Sequence, residues 1–190
     1  AATLAINEKC KNLRAEGKKV FNFGFGGSPF SIPHKIVSAL KNNAHQKEYL
    51  PSVGLNELRE AIVKYINKNS NNNFEKEDII IGPGTKQLMF LLQLGFDGEF
   101  IFPTGSWVSY EPQAIIAKNK VHWIETFRED NWFPKPEEIE KKIKDIKIKD
   151  IILFLNSPNN PSGAVCKNLQ EIAEVAKKHK IIVLSDEIYT

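Results

Sequence analysis

The strongest chemical signal in the sequence is an acidic residue at the end of an apolar run. Residues 181–184 are apolar and lead into Ser185-Asp186-Glu187-Ile188-Tyr189. A carboxylate beside a buried strand is costly unless it is paired, so Asp186 is suited to hold a cation or a protonated ring nitrogen. A purely structural partner is the alternative for Asp186. Glu187 points to the other side of the strand, where it could form a salt bridge.

A glycine-rich turn, Gly82-Pro83-Gly84-Thr85-Lys86, separates another apolar run from a helical segment. Backbone N–H groups at a helix N-terminus, the helix dipole and a hydroxyl at the N-cap all favour an anion such as a phosphate. The turn matches neither a Walker loop nor the GxGxxG fingerprint, and turns of this kind also occur for structural reasons alone. The segment therefore indicates either a phosphate cup with Thr85 as N-cap or a plain strand-to-helix turn.

A third candidate is the loop Asn156-Ser157-Pro158-Asn159-Asn160-Pro161-Ser162-Gly163, which follows the most apolar run of the chain. Its prolines and its glycine restrict the backbone and would hold an asparagine amide in one direction at the mouth of a sheet. Such an amide can donate to an oxyanion. An elaborate strand-to-helix loop without a ligand is the alternative.

Two aromatic residues are candidates for contact with a planar ligand. Trp107 lies in the loop that follows the apolar residues 100–102, and Tyr49 directly precedes Leu50-Pro51. Both side chains are equally suited to core packing. The 4 histidines are isolated from one another, so we predict neither a Ser/His/Asp arrangement nor a metal site.

These loops require a scaffold that brings their ends together, and the apolar pattern predicts one. From residue 78 onward, short apolar runs alternate with amphipathic segments, as in a mostly parallel sheet covered by helices on both faces. The predicted strands are residues 79–81, 100–102, 120–124, 151–155 and 181–184, and the predicted helices are residues 85–94, 110–118, 136–146 and 169–179. Functional side chains then lie at the carboxyl ends of the strands. We predict an α/β fold, specifically a three-layer α-β-α sandwich.

The first third of the chain has a different pattern. Residues 3–16 and 55–66 have helical spacing, and Pro33 stands at a plausible first helical position for a segment that runs to about residue 41. Residues 20–27 form a short extended segment that ends in glycines, which indicates a layer outside the main core.

Composition excludes several classes of function. The chain has 190 residues, 42% hydrophobic and 26% charged, as in a globular protein with one sizeable core. Its net charge of +3 is modest, and acidic neighbours interrupt the lysine-rich run 141–149, so we expect a solvated helix face and no nucleic-acid partner. The 2 cysteines lie far apart, and we see neither a secretory signal nor a membrane-spanning run. We expect a cytoplasmic protein without a membrane partner.

Taken in order, the motifs resemble fold-type I pyridoxal-phosphate enzymes, specifically the N-terminal half of class I/II aminotransferases of the aspartate aminotransferase type. The matching motifs are Tyr49, Gly54, Leu58-Arg59-Glu60-Ala61-Ile62, Gly84-Thr85-Lys86-Gln87, Trp107, Asn159-Asn160-Pro161-Ser162-Gly163 and Asp186-Glu187-Ile188-Tyr189. They occur at the family's spacing and cover nearly the whole chain.

The resemblance implies pyridoxal 5'-phosphate (PLP) as cofactor and a role for each motif. Gly84, Thr85 and Lys86 would receive the phosphate, and Trp107 would stack on the pyridine ring. Asn160 and Tyr189 would hydrogen-bond the phenolic oxygen, and Asp186 would pair with the pyridinium nitrogen. Tyr49 would reach the phosphate of a neighbouring subunit in a homodimer. Gly26, Trp107 and Asn160 would contact the substrate.

The resemblance also implies a domain organisation and a reaction. Residues 1–45 would belong to a small domain, and residues 46–190 would form the first part of the PLP-binding large domain. A full-length parent would transfer an amino group from an L-amino acid to a 2-oxo acid. The lysine that forms the Schiff base would lie beyond residue 190, so we expect no catalytic residue in this segment and no activity from it alone.

Two positions depart from the family pattern. Gly26-Gly27-Ser28-Pro29-Phe30 stands where the family has Gly-Glu-Pro-Asp-Phe, and Ser162 replaces the commoner threonine. Three alternatives to a transaminase stay open: a catalytically incomplete fragment, an aminotransferase-like ligand-binding module, and a related PLP lyase or synthase. Which amino acid serves as substrate is also open.

Overall fold

A computed structural model of the protein describes residues 2–22, 26–148 and 150–189, with side chains from residue 5 onward. The chain divides into two units, Ala1–Tyr49 and Leu50–Thr190. The predicted site motifs from Gly84 to Tyr189 all lie in the second unit, whereas Gly26 and Tyr49 lie in the first.

The described residues of the first unit form two helices, α1 (Ala2–Ala15) and α2 (His34–Asn43). Both were predicted, α1 from its apolar spacing and α2 from the position of Pro33. Pro33 is the N-cap of α2, with ψ of 135°, so the prediction that it is the first helical residue was wrong by one position. Its ring fixes φ at a value that both positions tolerate, and the extended ψ places it outside the helix. Part of the predicted extended segment, residues 23–25, lies outside the described residues.

The second unit contains a parallel sheet of four strands in the order β2-β1-β3-β4. The strands are β1 (Glu99–Pro103), β2 (Lys120–Ile124), β3 (Ile151–Asn156) and β4 (Ile182–Asp186). The central strand β3 is buried along its whole length, which explains its uninterrupted apolar sequence. The chain runs from β1 outward to β2 and then returns to the opposite side of β1, so the strand order reverses between β1 and β3.

Four helices cover the two faces of this sheet. They are α4 (Thr85–Gly95), α5 (Tyr110–Ile116), α6 (Pro136–Asp145) and α7 (Leu169–His179). The core of one face contains Ile101, Leu153 and Leu155 of the strands, with Ile139 and Ile143 of α6 and Ile172 and Ala176 of α7. The core of the other face contains Phe100, Phe102, Ile152 and Phe154, with Met89 of α4 and Tyr110 and Ala114 of α5. Alternate residues of each strand point to opposite faces. The predicted three-layer α/β architecture is confirmed.

One predicted strand, residues 79–81, is not among the four strands of the described sheet. The N–H of Ile81 donates to the carbonyl of Val53 over 2.9 Å, within the turn that precedes helix α3 (Asn56–Asn69). Gly54 in this turn has a φ of +103°, and a Cβ there would collide with the side chain of Ile81. The apolar run therefore packs against a turn, which apolar spacing alone does not distinguish from a strand.

Helix α3 is fixed to the segment that leads to Ile81 by Arg59, which is buried with 7% of its surface exposed. Its guanidinium donates to the carbonyls of Ile79 (2.9 Å) and Lys76 (2.5 Å). Short 3₁₀ turns occur at Lys76–Asp78 and Arg128–Asp130.

The lysine-rich run is partly helical, because α6 ends at Asp145. Lys141 and Lys144 are exposed while Ile139 and Ile143 are buried, so the helical part has the predicted solvated face. Among the helices of the described residues, none has the length and the apolar character that crossing a membrane requires.

Candidate functional site

The polar loops of the second unit converge at the carboxyl end of the sheet. Thr85, Trp107, Asn156, Asn160, Asp186, Ile188 and Tyr189 line one cavity there. The loops that carry Trp107 and Asn160 follow β1 and β3, between which the strand order reverses, and ligands of open α/β sheets bind at such a point. The cavity has a volume of about 130 Å³. Cavities that enclose a small ligand are usually about 300–1,000 Å³, so the space that these residues enclose is smaller than a usual ligand site.

Asp186 is the last residue of β4 and is buried, with 7% of its surface exposed. Its Oδ2 accepts a hydrogen bond from the hydroxyl of Tyr110 over 2.6 Å, and its Oδ1 accepts one from the N–H of Ile188 over 3.3 Å. A carboxylate has about four lone-pair positions, so Asp186 retains capacity for a further donor. Because it lines the cavity, a cation or a protonated ring nitrogen bound there can provide that donor.

Tyr110 was not among the site residues predicted from the sequence. This residue begins α5, and its ring belongs to the aromatic core. Burial raises the pKa of the Tyr110 phenol far above its usual value, and the hydrogen bond to Asp186 raises it further. The phenol therefore stays protonated and acts as a donor to the carboxylate. Its position at the start of a predicted amphipathic helix indicated only a packing role for the ring.

Asn156 was part of a predicted loop motif but was not proposed as a site residue. It lies opposite Asp186 in the register of β3 and β4. Its Nδ2 donates to the backbone carbonyl of Asp186 over 2.8 Å, and its Oδ1 accepts from the N–H of Asn160 over 2.6 Å. Asn156 thus connects the loop after β3 to the end of β4.

In the loop that follows β3, the side-chain amide of Asn160 contacts the phenol of Tyr189. Asn160 Nδ2 donates to the hydroxyl oxygen of Tyr189 over 3.1 Å. Asn159 closes the loop, because its N–H donates to the carbonyl of Ala164 and its carbonyl accepts from the N–H of Gly163, each over 2.8 Å. An amide N–H and a phenol O–H therefore lie together on the cavity wall, where both can donate to one ligand oxygen.

The N-terminus of α4 also faces the cavity, through Thr85. The prediction that Thr85 is the N-cap was wrong: Gly84 is the N-cap, with φ of +97°, and no side chain caps the helix. Only glycine adopts this backbone conformation without strain, so the cap lies one residue earlier. Gly84's carbonyl accepts the first helical bonds, from the N–H groups of Gln87 and Leu88. The N–H groups of Thr85 and Lys86 precede those bonds and are available to an anion.

The side chain of Trp107 lines the same cavity as Thr85, Asn160 and Asp186. Its ring is half-buried and packs edge-on against Tyr110, with 5.7 Å between ring centroids. Lys86 Nζ lies 5.3 Å from the centre of the Trp107 ring, within range of a cation–π interaction. This contact does not test the predicted role of Lys86 in phosphate binding, which stays a prediction.

Two predicted site residues belong to the first unit. Gly26 is exposed, and Tyr49 is fully exposed. Their roles stay predictions. In the part of the chain that the structure describes, no group of three or more His, Cys, Asp or Glu side chains is placed to hold a metal ion.

Comparison with known proteins identifies the family. A model of the family "Aminotransferase class I and II" matches residues 18–190. This chain belongs to that family. The resemblance noted in the order of its motifs is therefore confirmed.

Individual aminotransferases match the whole of this segment. The aspartate aminotransferase of Bacillus subtilis (strain 168) is 35% identical and matches 100% of this chain and 49% of its own length. The asparagine–oxo-acid transaminase of Streptococcus mutans is 32% identical and matches 100% of this chain and 49% of its own length. A structure of the aspartate aminotransferase of Thermus thermophilus with maleate aligns with a TM-score of 0.88 and 32% identity, over 100% of this chain and 50% of that one. The chain spans about half the length of the curated relatives it matches.

Proposed function

We propose that the protein, in its full-length form, uses pyridoxal 5'-phosphate to transfer an amino group from an L-amino acid to a 2-oxo acid. One observation carries the proposal: the buried carboxylate of Asp186 lines the same cavity as the Trp107 ring and the N-terminal residue of α4, Thr85. These three features suit a ligand that combines a basic ring nitrogen, a flat ring and an anionic group.

The donor set of the cavity fits each polar group of this cofactor. Asp186 would hold the ring nitrogen, and Asn160 with Tyr189 would donate to the phenolic oxygen. The backbone N–H groups of Thr85 and Lys86, next to Gly84, would hold the phosphate, helped by the α4 dipole. Trp107 would pack against the ring face.

The bound cofactor supplies an electron-accepting ring that makes the α-carbon of an amino acid acidic. The protein's part is electrostatic. A buried negative charge at Asp186 favours a proton on the neighbouring ring nitrogen, since opposite charges attract strongly away from water. Donors at Asn160 and Tyr189 favour negative charge on the phenolic oxygen. None of the described residues takes the role of the proton-transferring lysine in this proposal, and we assign that role to the rest of the full-length protein.

Further parts of the proposal concern the whole molecule. We infer a cytoplasmic homodimer that acts in amino-acid biosynthesis, with residues 1–45 in a small domain and residues 46–190 in the large domain. Full exposure of the Tyr49 side chain supports its role as a residue that reaches a neighbouring subunit. Gly26 would lie at the substrate with Trp107 and Asn160. Relatives are named for aspartate and for asparagine, so aspartate is the amino donor to test first.

The test uses the full-length protein, titrated with PLP and followed by absorbance. Borohydride reduction with intact-mass measurement, and turnover with aspartate and a 2-oxo acid, complete it. Asp186→Asn removes the buried charge, and Glu187→Gln removes the adjacent, exposed one as a matched control. We expect a reducible cofactor adduct and amino transfer in the wild type, with turnover reduced roughly 10²–10³-fold in Asp186→Asn only.

Other outcomes separate the alternatives. An adduct with elimination or condensation products in place of amino transfer would indicate a lyase or synthase. Reversible cofactor binding without an adduct would indicate a binding module. Absence of any binding by the full-length protein would overturn the proposal.

A further inference from the structure

We propose that Asn156 is a positioning residue that sets the distance between the carboxylate of Asp186 and the side-chain amide of Asn160, so that both contact one cofactor ring at once. This inference rests on the proposed function, in which Asp186 holds the ring nitrogen and Asn160 donates to the phenolic oxygen. Asn156 lies outside the motifs that carry the family resemblance, the nearest of which begins at Asn159.

The side chain of Asn156 connects two segments of backbone. Asn156 is the last residue of β3, is 5% exposed, and lies opposite Asp186 in the register of the parallel strands. Its Nδ2 donates to the carbonyl of Asp186 over 2.8 Å, and its Oδ1 accepts from the N–H of Asn160 over 2.6 Å. Turning this side chain away would leave buried polar groups without partners, which is costly, so the connection is fixed.

The connection determines where the loop after β3 lies relative to β4. Other hydrogen bonds of the loop, such as that from the N–H of Asn159 to the carbonyl of Ala164, lie within the loop and do not set its distance from β4. The bond to Asn156 holds the backbone of Asn160 itself. The side-chain amide of Asn160, which donates to the hydroxyl of Tyr189, therefore starts from a fixed point.

A planar ring requires this spacing to be accurate. The distance between the ring nitrogen and the phenolic oxygen of the cofactor is fixed by covalent geometry, so the two protein groups must match it together. Hydrogen bonds from N–H to oxygen are longest at about 3.2 Å, so a displaced loop loses its bond to the ring. Asp186 is part of a strand and Asn160 is part of a loop. Without Asn156, we therefore expect the contact with the phenolic oxygen to weaken, while the contact with the ring nitrogen is kept.

The experiment measures the contribution of the phenolic oxygen to ligand binding. The full-length protein, freed of any bound PLP, is titrated by calorimetry with two ligands. Deoxypyridoxine 5'-phosphate has the ring nitrogen, the phenolic oxygen and the phosphate but no aldehyde, and the second ligand is the same compound with hydrogen in place of the phenolic hydroxyl. The ratio of the two dissociation constants isolates the phenolic contact, as a double-mutant cycle does for a pair of side chains.

Asn156→Ala removes the connection, and Asn168→Ala is the matched control. Asn168 is a half-buried asparagine whose Nδ2 donates to the carbonyl of Pro134 over 3.0 Å, and it is not among the residues that line the cavity. We expect the preference for the phenolic ligand to fall roughly 2- to 10-fold in Asn156→Ala, the loss of about one hydrogen bond, and to keep its wild-type value in Asn168→Ala.

A purely structural role of Asn156 would weaken the binding of both ligands by the same factor. An unchanged preference in Asn156→Ala would therefore overturn the inference and leave the proposed function intact. Equal wild-type affinities for the two ligands would overturn the inference together with the assignment of Asn160 to the phenolic oxygen. A wild-type protein that binds neither ligand would overturn the proposed function itself.

Should Asn156→Ala not fold, Asn156→Ser provides a second test. Serine keeps a polar atom at this position, but its side chain is one bond shorter and cannot reach both backbone partners. The preference for the phenolic ligand must fall in this variant as well, and a wild-type preference would contradict the inference.

Discussion

The side-chain amide of Gln113 donates a hydrogen bond to the backbone carbonyl of Lys86 over 2.9 Å. Gln113 lies in α5 and Lys86 in the first turn of α4, so this bond joins the helix that carries Tyr110 to the helix whose N-terminus faces the cavity. Gln113 Oε1 in turn accepts from Gln93 Nε2 over 3.1 Å. Helix α5 therefore supports both the Asp186 end and the α4 end of the candidate site.

We predict that Gln113→Leu lowers the free energy of unfolding by about 1–3 kcal/mol, because the buried amide of Gln93 then loses its acceptor. Urea denaturation of the purified protein measures this change. Within the described residues, Gln93 Oε1 is buried without a hydrogen-bond partner, so replacing the whole amide should relieve part of the loss. The double variant Gln93→Leu/Gln113→Leu should lose less free energy of unfolding than the two single variants lose in sum. Additive losses would show that the two amides are not coupled.

Two glycines at opposite ends of α4 should respond in opposite ways to the same substitution. An added Cβ meets no atom within 4 Å at either Gly84 or Gly95, so only backbone conformation distinguishes them. At Gly84 the φ of +97° is strained for alanine, and we expect Gly84→Ala to cost about 1–3 kcal/mol and to weaken PLP binding. Gly95→Ala lies within the helix and should stabilise it by up to about 1 kcal/mol. Thermal unfolding distinguishes the two, and equal effects would contradict the role of the Gly84 conformation.

Arg59 should not tolerate replacement by lysine. Its planar guanidinium donates to two carbonyls of the segment that leads to Ile81, and an ammonium group does not reproduce that geometry. We expect Arg59→Lys to lower the free energy of unfolding by about 1.5–3 kcal/mol. Amide hydrogen exchange at Ile81 should accelerate in this variant, while Arg128→Lys, at an exposed arginine, leaves it unchanged. Wild-type exchange at Ile81 in Arg59→Lys would show that the guanidinium does not anchor this segment.

Glu140 should make stability depend on pH below about 4.5. The hydrogen bond from Lys178 (2.7 Å), and then that from His179, lower the pKa of Glu140 from 4.5 to about 2. Because the pKa of Glu140 is lower in the folded state than in the unfolded state, ionised Glu140 stabilises the fold at pH values above 4.5. This contribution is lost as the pH falls toward 2. Urea denaturation should show Glu140→Gln less stable than the wild type at pH 7 and similar to it near pH 2.

The matched control for this prediction is Glu174→Gln, at an exposed carboxylate on α7 that contacts the neutral side chain of Gln170. Its difference from the wild type should be small and nearly independent of pH. Added salt should reduce the Glu140 effect, since the side chain is 24% exposed and its partners include the surface lysines Lys144 and Lys178. A Glu140→Gln difference that persists unchanged near pH 2 would contradict an ionic origin.

Elements with a strong local pattern could be predicted closely. Helix α7 and strand β2 have the predicted bounds. Helix α7 has apolar residues at helical spacing and follows Asn168, and β2 is a short run rich in apolar residues that follows Asn119. The apolar run 79–81 has the same local pattern as a strand, yet its backbone pairs with a turn at Val53. Which segment an extended run contacts depends on residues far from it in the chain.

By itself, the sequence determined the succession of helices and strands along the chain from residue 85 onward, the family, and the loops that carry Thr85, Trp107, Asn160, Asp186 and Tyr189. Local periodicity and motif spacing contain that information. Only the tertiary structure decided that Tyr110 donates to Asp186 and that Asn156 ties its loop to β4. Strand order and register set these contacts, because parallel strands place residues side by side that are separated by a whole crossover connection.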